Sequence, residues 1–142
     1  MSAIANIAAA VVSELNAGTF SQAFTSVRAY LPIYDLKDMT TLRVSVVPKA
    51  IIDGDASRGS SDERYQIDVA VQKKVDPADL SAVDALITLA EEIRTFFERR
   101  FLTALPTVHC VERANDPIYS SEHMNQYRQF TSLITLTFRT IS

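Results

Sequence analysis

Apolar residues recur at helical spacing in two stretches of the chain and at alternate positions in several others. Within Ser2–Ala17, Ile4, Ile7, Ala8, Val11 and Leu15 fall at i, i+3, i+4, i+7 spacing, which predicts an amphipathic helix. Gly18 follows and is expected to end it in left-handed backbone. Phe20–Leu31 mixes aromatic, β-branched and small residues and reads as a strand, stopped by Pro32. The polar stretch Tyr34–Thr41 is expected to form a turn or a single helical turn. Leu42, Val44 and Val46 then alternate with Arg43 and Ser45, the period of a half-buried strand with one wet face.

Over Ile51–Arg64 the pattern collapses into Asp, Gly, Ser and Arg, which predicts a mobile loop between two strands. Alternation returns at Tyr65, Ile67, Val69 and Val71 against Gln66, Asp68 and Gln72. The two strands suggest a long hairpin whose loop exceeds a tight turn. A second helix is expected from Pro77 to about Phe101, roughly 37 Å long at 1.5 Å per residue. Its start carries Asp76 as N-cap, Pro77 at the first helical position, Asp79 in the first turn, and a Val75–Leu80 hydrophobic staple. Its main stripe is Leu80, Val83, Ile87, Ala90, Ile93 and Phe97, widened by a second row of Leu86, Leu89 and Phe96. Arg99 and Arg100 sit in the last turn, the favourable sign there.

Beyond Leu105-Pro106, Thr107–Val111 reads as a short strand, Asn115-Asp116-Pro117 as a turn and Ser120–Tyr127 as a short polar helix. The clearest strand is the last: Phe130, Ile134, Leu136 and Phe138 against Thr131, Thr135, Thr137 and Arg139. The order helix, three strands, helix, two strands predicts an α+β fold. We expect a mixed, mostly antiparallel sheet of about four to five strands, packed by two main helices on one face. No internal repeat or composition shift divides the chain, so residues 1–142 are expected to form one domain.

Composition narrows the function. The 142 residues are 47% hydrophobic and 22% charged, which excludes disorder and coiled coil. A net charge of −3 argues against a sequence-independent nucleic-acid binder, though not against a protein that surrounds DNA without gripping it. The single cysteine, Cys110, excludes an internal disulfide and a thiolate metal cluster within one chain. The first basic residue is Arg28 and the apolar run Ile7–Val12 is too short to span a bilayer. A reducing, bacterial cytoplasm is therefore expected as the site of synthesis, with no secretion and no membrane partner.

Catalytic constellations are weak. His109 and His123 lack metal-binding spacing and a nearby carboxylate, and a histidine in a strand is more often packed or at an edge. A lone Cys110 on an apolar strand is more often a small core residue than a nucleophile. Gly54–Ser61 has the glycine spacing of a phosphate loop but Ser60 replaces the lysine and no helix follows. Asp53-Gly54-Asp55 lacks a third acidic ligand at Ser57, so a calcium loop is broken. Glu91-Glu92 and Arg99-Arg100 read as the wet face of the second helix. No catalytic, cofactor-binding or metal residue is assigned, and no cofactor is expected. The wide apolar face of the second helix and a second sheet face bearing Val47 and Leu133 both exceed what a monomer needs, unless both are core.

The arrangement resembles the tail terminator (neck) proteins of long-tailed bacteriophages and prophages, the group of the lambda minor tail protein U. The likeness rests on the N-terminal helix, Tyr30-Leu-Pro32, Tyr34–Met39, Leu42–Pro48, Arg64–Lys74, the Leu86–Phe97 helix, Asn115–Tyr119 and Phe130–Arg139. It implies a curved mixed sheet packed by helices and a homo-hexameric ring. That ring would cap the head-proximal end of the tail tube, contact the tail tube protein and present a surface to a head-side connector or stopper. Genomic DNA would pass through the lumen without specific binding. The implied location is the virion tail or neck, after assembly in the host cytoplasm. A partner-contact loop is expected at Asp53, Asp55, Arg58, Asp62, Glu63 and Arg64, mobile in the free subunit and ordered against a neighbour. A head-to-tail connector or stopper ring is the nearest alternative. A small-ligand-binding or enzymatic α+β domain, with its site around Asp53, Asp55, His109 and Cys110, is the alternative of a different class.

Overall fold

The Ser2 hydroxyl accepts the Ala5 N–H at 3.3 Å and starts the first helix, α1, Ala3–Ala17. The computed structural model describes residues 2–30, 41–57 and 60–140, with the backbone alone described at 54–57 and 60–62. After α1 come β1 (Ser26–Arg28), β2 (Arg43–Ser57), β3 (Ser60–Lys74), α2 (Leu80–Phe96), β4 (Val108–Asn115), α3 (Ser121–Tyr127) and β5 (Gln129–Thr140). The five strands form one sheet in the order β1-β2-β3-β5-β4. β1 runs parallel to β2 and every other neighbouring pair is antiparallel, so the fold is α+β with a mixed, mostly antiparallel sheet.

Alternation in β2, β3 and β5 aligns one apolar row across the sheet. Val46 pairs with Val69 and Val69 with Ile134, while Ile67 pairs with Leu136 and Tyr65 with Phe138. This row faces Ile7, Val11 and Leu15 of α1 and Leu86, Leu89, Ala90 and Ile93 of α2, which with Phe97 make a single core. Both main helices therefore lie on one face. The second face is also buried at Ser45, Ala70, Gln72, Thr131 and Thr137. Alternation in a sequence marks which side chains are polar and says nothing about whether they are covered.

Several expected boundaries move. The Phe20–Leu31 strand contracts to the three residues of β1. The preceding segment is instead pinned to α2: the Ser21 hydroxyl donates to Glu92 Oε1 at 2.6 Å, and the Gln22 amide donates to the Ala85 carbonyl at 3.2 Å. Gly18 is extended (φ −80°, ψ 164°) and not left-handed. Its requirement is space, because a Cβ there would sit 2.9 Å from a Phe20 ring carbon and 3.0 Å from one of Phe96. The N-cap of α2 is Asp79, which accepts the Ala82 N–H at 3.1 Å, whereas Asp76 accepts from Ala78 in the turn before it. The helix ends at Phe96 and not at Phe101, since Arg99 takes a positive φ of 54°. On α2 the buried face draws on both expected rows, Leu86 and Leu89 from the second and Ala90, Ile93 and Phe97 from the main stripe, while Leu80 is 71% exposed. β4 runs on to Asn115, past the expected Val111. The turn after it holds a cis Asp116–Pro117 peptide. The expected turn at Tyr34–Thr41 lies outside the described residues except for Thr41.

Candidate assembly surface

The expected loop at Ile51–Arg64 is a strand pair over most of its length. Ile51 pairs with Tyr65, Ile52 with Arg64, Asp53 with Glu63, Gly54 with Asp62, Asp55 with Ser61 and Ser57 with Ser60. The ladder nucleated by Val44–Val47 and Ile67–Val71 propagates outward because each added pair closes hydrogen bonds already aligned by the last, even where side chains are polar. Loop composition misled here, since Asp, Gly and Ser disfavour strands without forbidding them. Arg58 lies outside the described residues, as do the Asp55 and Asp62 side chains.

β5 follows β3 only up to the Arg64–Arg139 pair. Beyond it, residues 53–57 and 60–63 pair only with each other among the described residues, forming a two-stranded arm. At its base the Tyr65 hydroxyl donates to Glu63 Oε2. This hydrogen bond, with burial and the charges of Glu63 and Asp53, pushes the Tyr65 phenol up to about 12. Arg64, on the other side of β3, reaches across β5 to Glu112 at 3.3 Å. Ile51 and Ile52 are about half exposed beside these groups. The sequence pattern did not single out the Glu63–Tyr65 and Arg64–Glu112 contacts. The period-two run Glu63, Tyr65, Ile67 was the available signal for the first. The second spans three strands and had none.

Asp53, Glu63 and Arg64 are brought to one end of the hairpin. The alternative site is not brought together. Cys110 and Asp53 stand on strands separated by β5 and β3, about 14 Å at ~4.8 Å per strand step. Cys110 is buried against the helices, and burial pushes its thiol up to about 11 despite the nearby Arg113 guanidinium and two backbone hydrogen bonds. His109 is the next residue along β4 and stacks on Phe101 with ring centres 4.9 Å apart. His123 bonds Thr131 Oγ1 at 2.8 Å beside the start of β5. Among the described residues no group of three His, Cys, Asp or Glu side chains converges as a metal site. No helix among them is long and apolar enough to cross a membrane.

No protein-family model and no curated protein matches this sequence. Solved structures do. A chain of the virion of the native gene transfer agent particle superposes with a TM-score of 0.61 at 18% identity, covering 99% of this chain and 98% of that one. This chain shares that fold from end to end. A second solved chain reaches a TM-score of 0.46 at 19% identity over 82% of this chain and 79% of that one.

Proposed function

We propose that this chain is a structural virion protein, a tail terminator that caps the head-proximal end of a tail tube as a homo-hexameric ring. The reading rests on one observation above all: a fold shared along nearly the whole length of both chains with a component of a virion particle. The separation of Asp53 on β2 from His109 and Cys110 on β4, with the thiol buried, favours a structural role over a catalytic one. A ring requires two different patches per subunit that meet heterologously and close. In this reading the ring contacts the tail tube protein on one side and a head-side connector on the other, in the virion neck. Genomic DNA passes through its lumen without specific binding.

Deleting the coding sequence from a particle-producing genome and imaging the lysate by electron microscopy tests this. Expected are tails that overrun their usual length and stay unjoined to heads, and about six copies of the chain per wild-type particle. Tails of unchanged length in the deletion, or one or two copies per particle, refute the terminator role.

A further inference from the structure

The two ends of the β2–β3 hairpin are opposite in charge. Within residues 53–63 the chain carries Asp53, Asp55, Asp62 and Glu63 against Arg58 alone, a net of −3. The whole chain is also −3, so the remaining residues balance to zero and the arm holds the entire excess. At the far end of β3, two adjoining clefts of about 450 and 300 Å³ share Lys74, Val75 and Asp76. Arg128 lines the first, and Lys73 and Leu86 line the second. Asp76 lies 3.8 Å from Arg128, which leaves Lys73 and Lys74 as the cationic surplus of a groove floored by Val75 and Leu86. Asp53 and Glu63, beside half-exposed Ile51 and Ile52, offer the opposite charge and an apolar flank to such a groove.

One molecule cannot join the two. From Glu63 to Lys74, β3 rises roughly 36 Å at about 3.3 Å per residue, and both ends belong to one continuous strand. We infer that the Asp53–Glu63 pair of one copy docks in the Lys73–Lys74–Arg128 cleft of a second copy. The contact is heterologous, uses different patches on the two partners, and repeats around a closed ring. The inference rests on the ring reading above and names the residues on each side of the subunit contact.

Charge exchange tests it. Wild-type chain is compared by sedimentation velocity and native mass spectrometry with Asp53→Lys/Glu63→Lys and with Lys73→Glu/Lys74→Glu, each checked for native circular dichroism. Wild type should form multimers at about 0.1 M ionic strength and lose them near about 1 M, where the screening length falls from about 10 to about 3 Å. Each double variant alone should self-associate at least about tenfold more weakly. An equimolar mixture should recover multimers, because each variant's arm then meets a cleft of opposite charge. Multimers that persist in either folded variant, a mixture that fails to recover, or a wild type monomeric at both ionic strengths overturns the contact. The tail-length and copy-number test above does not depend on that result.

Discussion

Glu14 is a buried carboxylate that ties α1 to the segment between α2 and β4. It is 5% exposed, accepts the Thr103 N–H at 2.6 Å and pairs with Arg100 Nε at 3.0 Å. Burial works to raise its pKa, but the hydrogen bonds from Thr103 and Arg100 and the Arg100 charge outweigh it and hold the carboxyl below its usual value of 4.5. Replacement by alanine removes one charge-assisted bond to the Thr103 N–H, worth about 1.5 kcal/mol. It also removes a pair with the partly exposed Arg100, worth less than about 1 kcal/mol after solvent screening. Glu14→Ala should therefore cost about 2 kcal/mol, and Glu14→Gln, which keeps an acceptor for Thr103, about 1 kcal/mol. At about 3 °C per kcal/mol for a chain of this size, the melting points fall by about 6 and about 3 °C. A folded pKa below the unfolded value means the stabilisation is complete above pH 4.5 and is lost as pH falls through the folded value. The gap between wild type and Glu14→Gln in urea denaturation should thus be flat near neutral pH and close in acid. A gap that widens on acidification, or two variants indistinguishable from wild type at neutral pH, would refute this account of the latch.

The other expectations are local. Gly18→Ala places a methyl against the Phe20 and Phe96 rings and should destabilise by about 1 kcal/mol or more, and by less in a Phe20→Ala background; equal costs in both backgrounds would count against crowding. Cys110, buried with its thiol pushed up to about 11, should resist thiol reagents at mildly alkaline pH until the protein unfolds; labelling at the unfolded-chain rate in native buffer would contradict its placement. Asp79→Ala should cost about 1 kcal/mol of stability and Asp76→Ala clearly less, because only Asp79 caps α2; the reverse order would restore the cap to Asp76.

Periodicity determined a good deal by itself. The stripe from Ile4 to Leu15 specified α1, the Tyr65–Val71 and Phe130–Phe138 alternations specified the two central strands, and their sum specified an α+β sheet with helices on one face. Each of these signals is local, because side-chain direction repeats every 3.6 or every 2 residues along one segment. Ends were less legible. The shift of the α2 cap from Asp76 to Asp79 and the exposure of Leu80 depend on where the helix meets the sheet, and two aspartates three residues apart offer the same capping chemistry.

Only the tertiary structure decided the candidate surface. Residues 51–64 have loop composition, yet 51–57 and 60–64 continue the ladder of β2 and β3, since strand pairing is made by backbone groups that every residue type but proline supplies in full. The reach of Arg64 to Glu112, the separation of Cys110 from Asp53, and the placement of an acidic arm and a basic cleft at opposite ends of one hairpin are long-range facts. They follow from the strand order β1-β2-β3-β5-β4, which no single segment encodes, because it is set by the competition of all strands for a shared core.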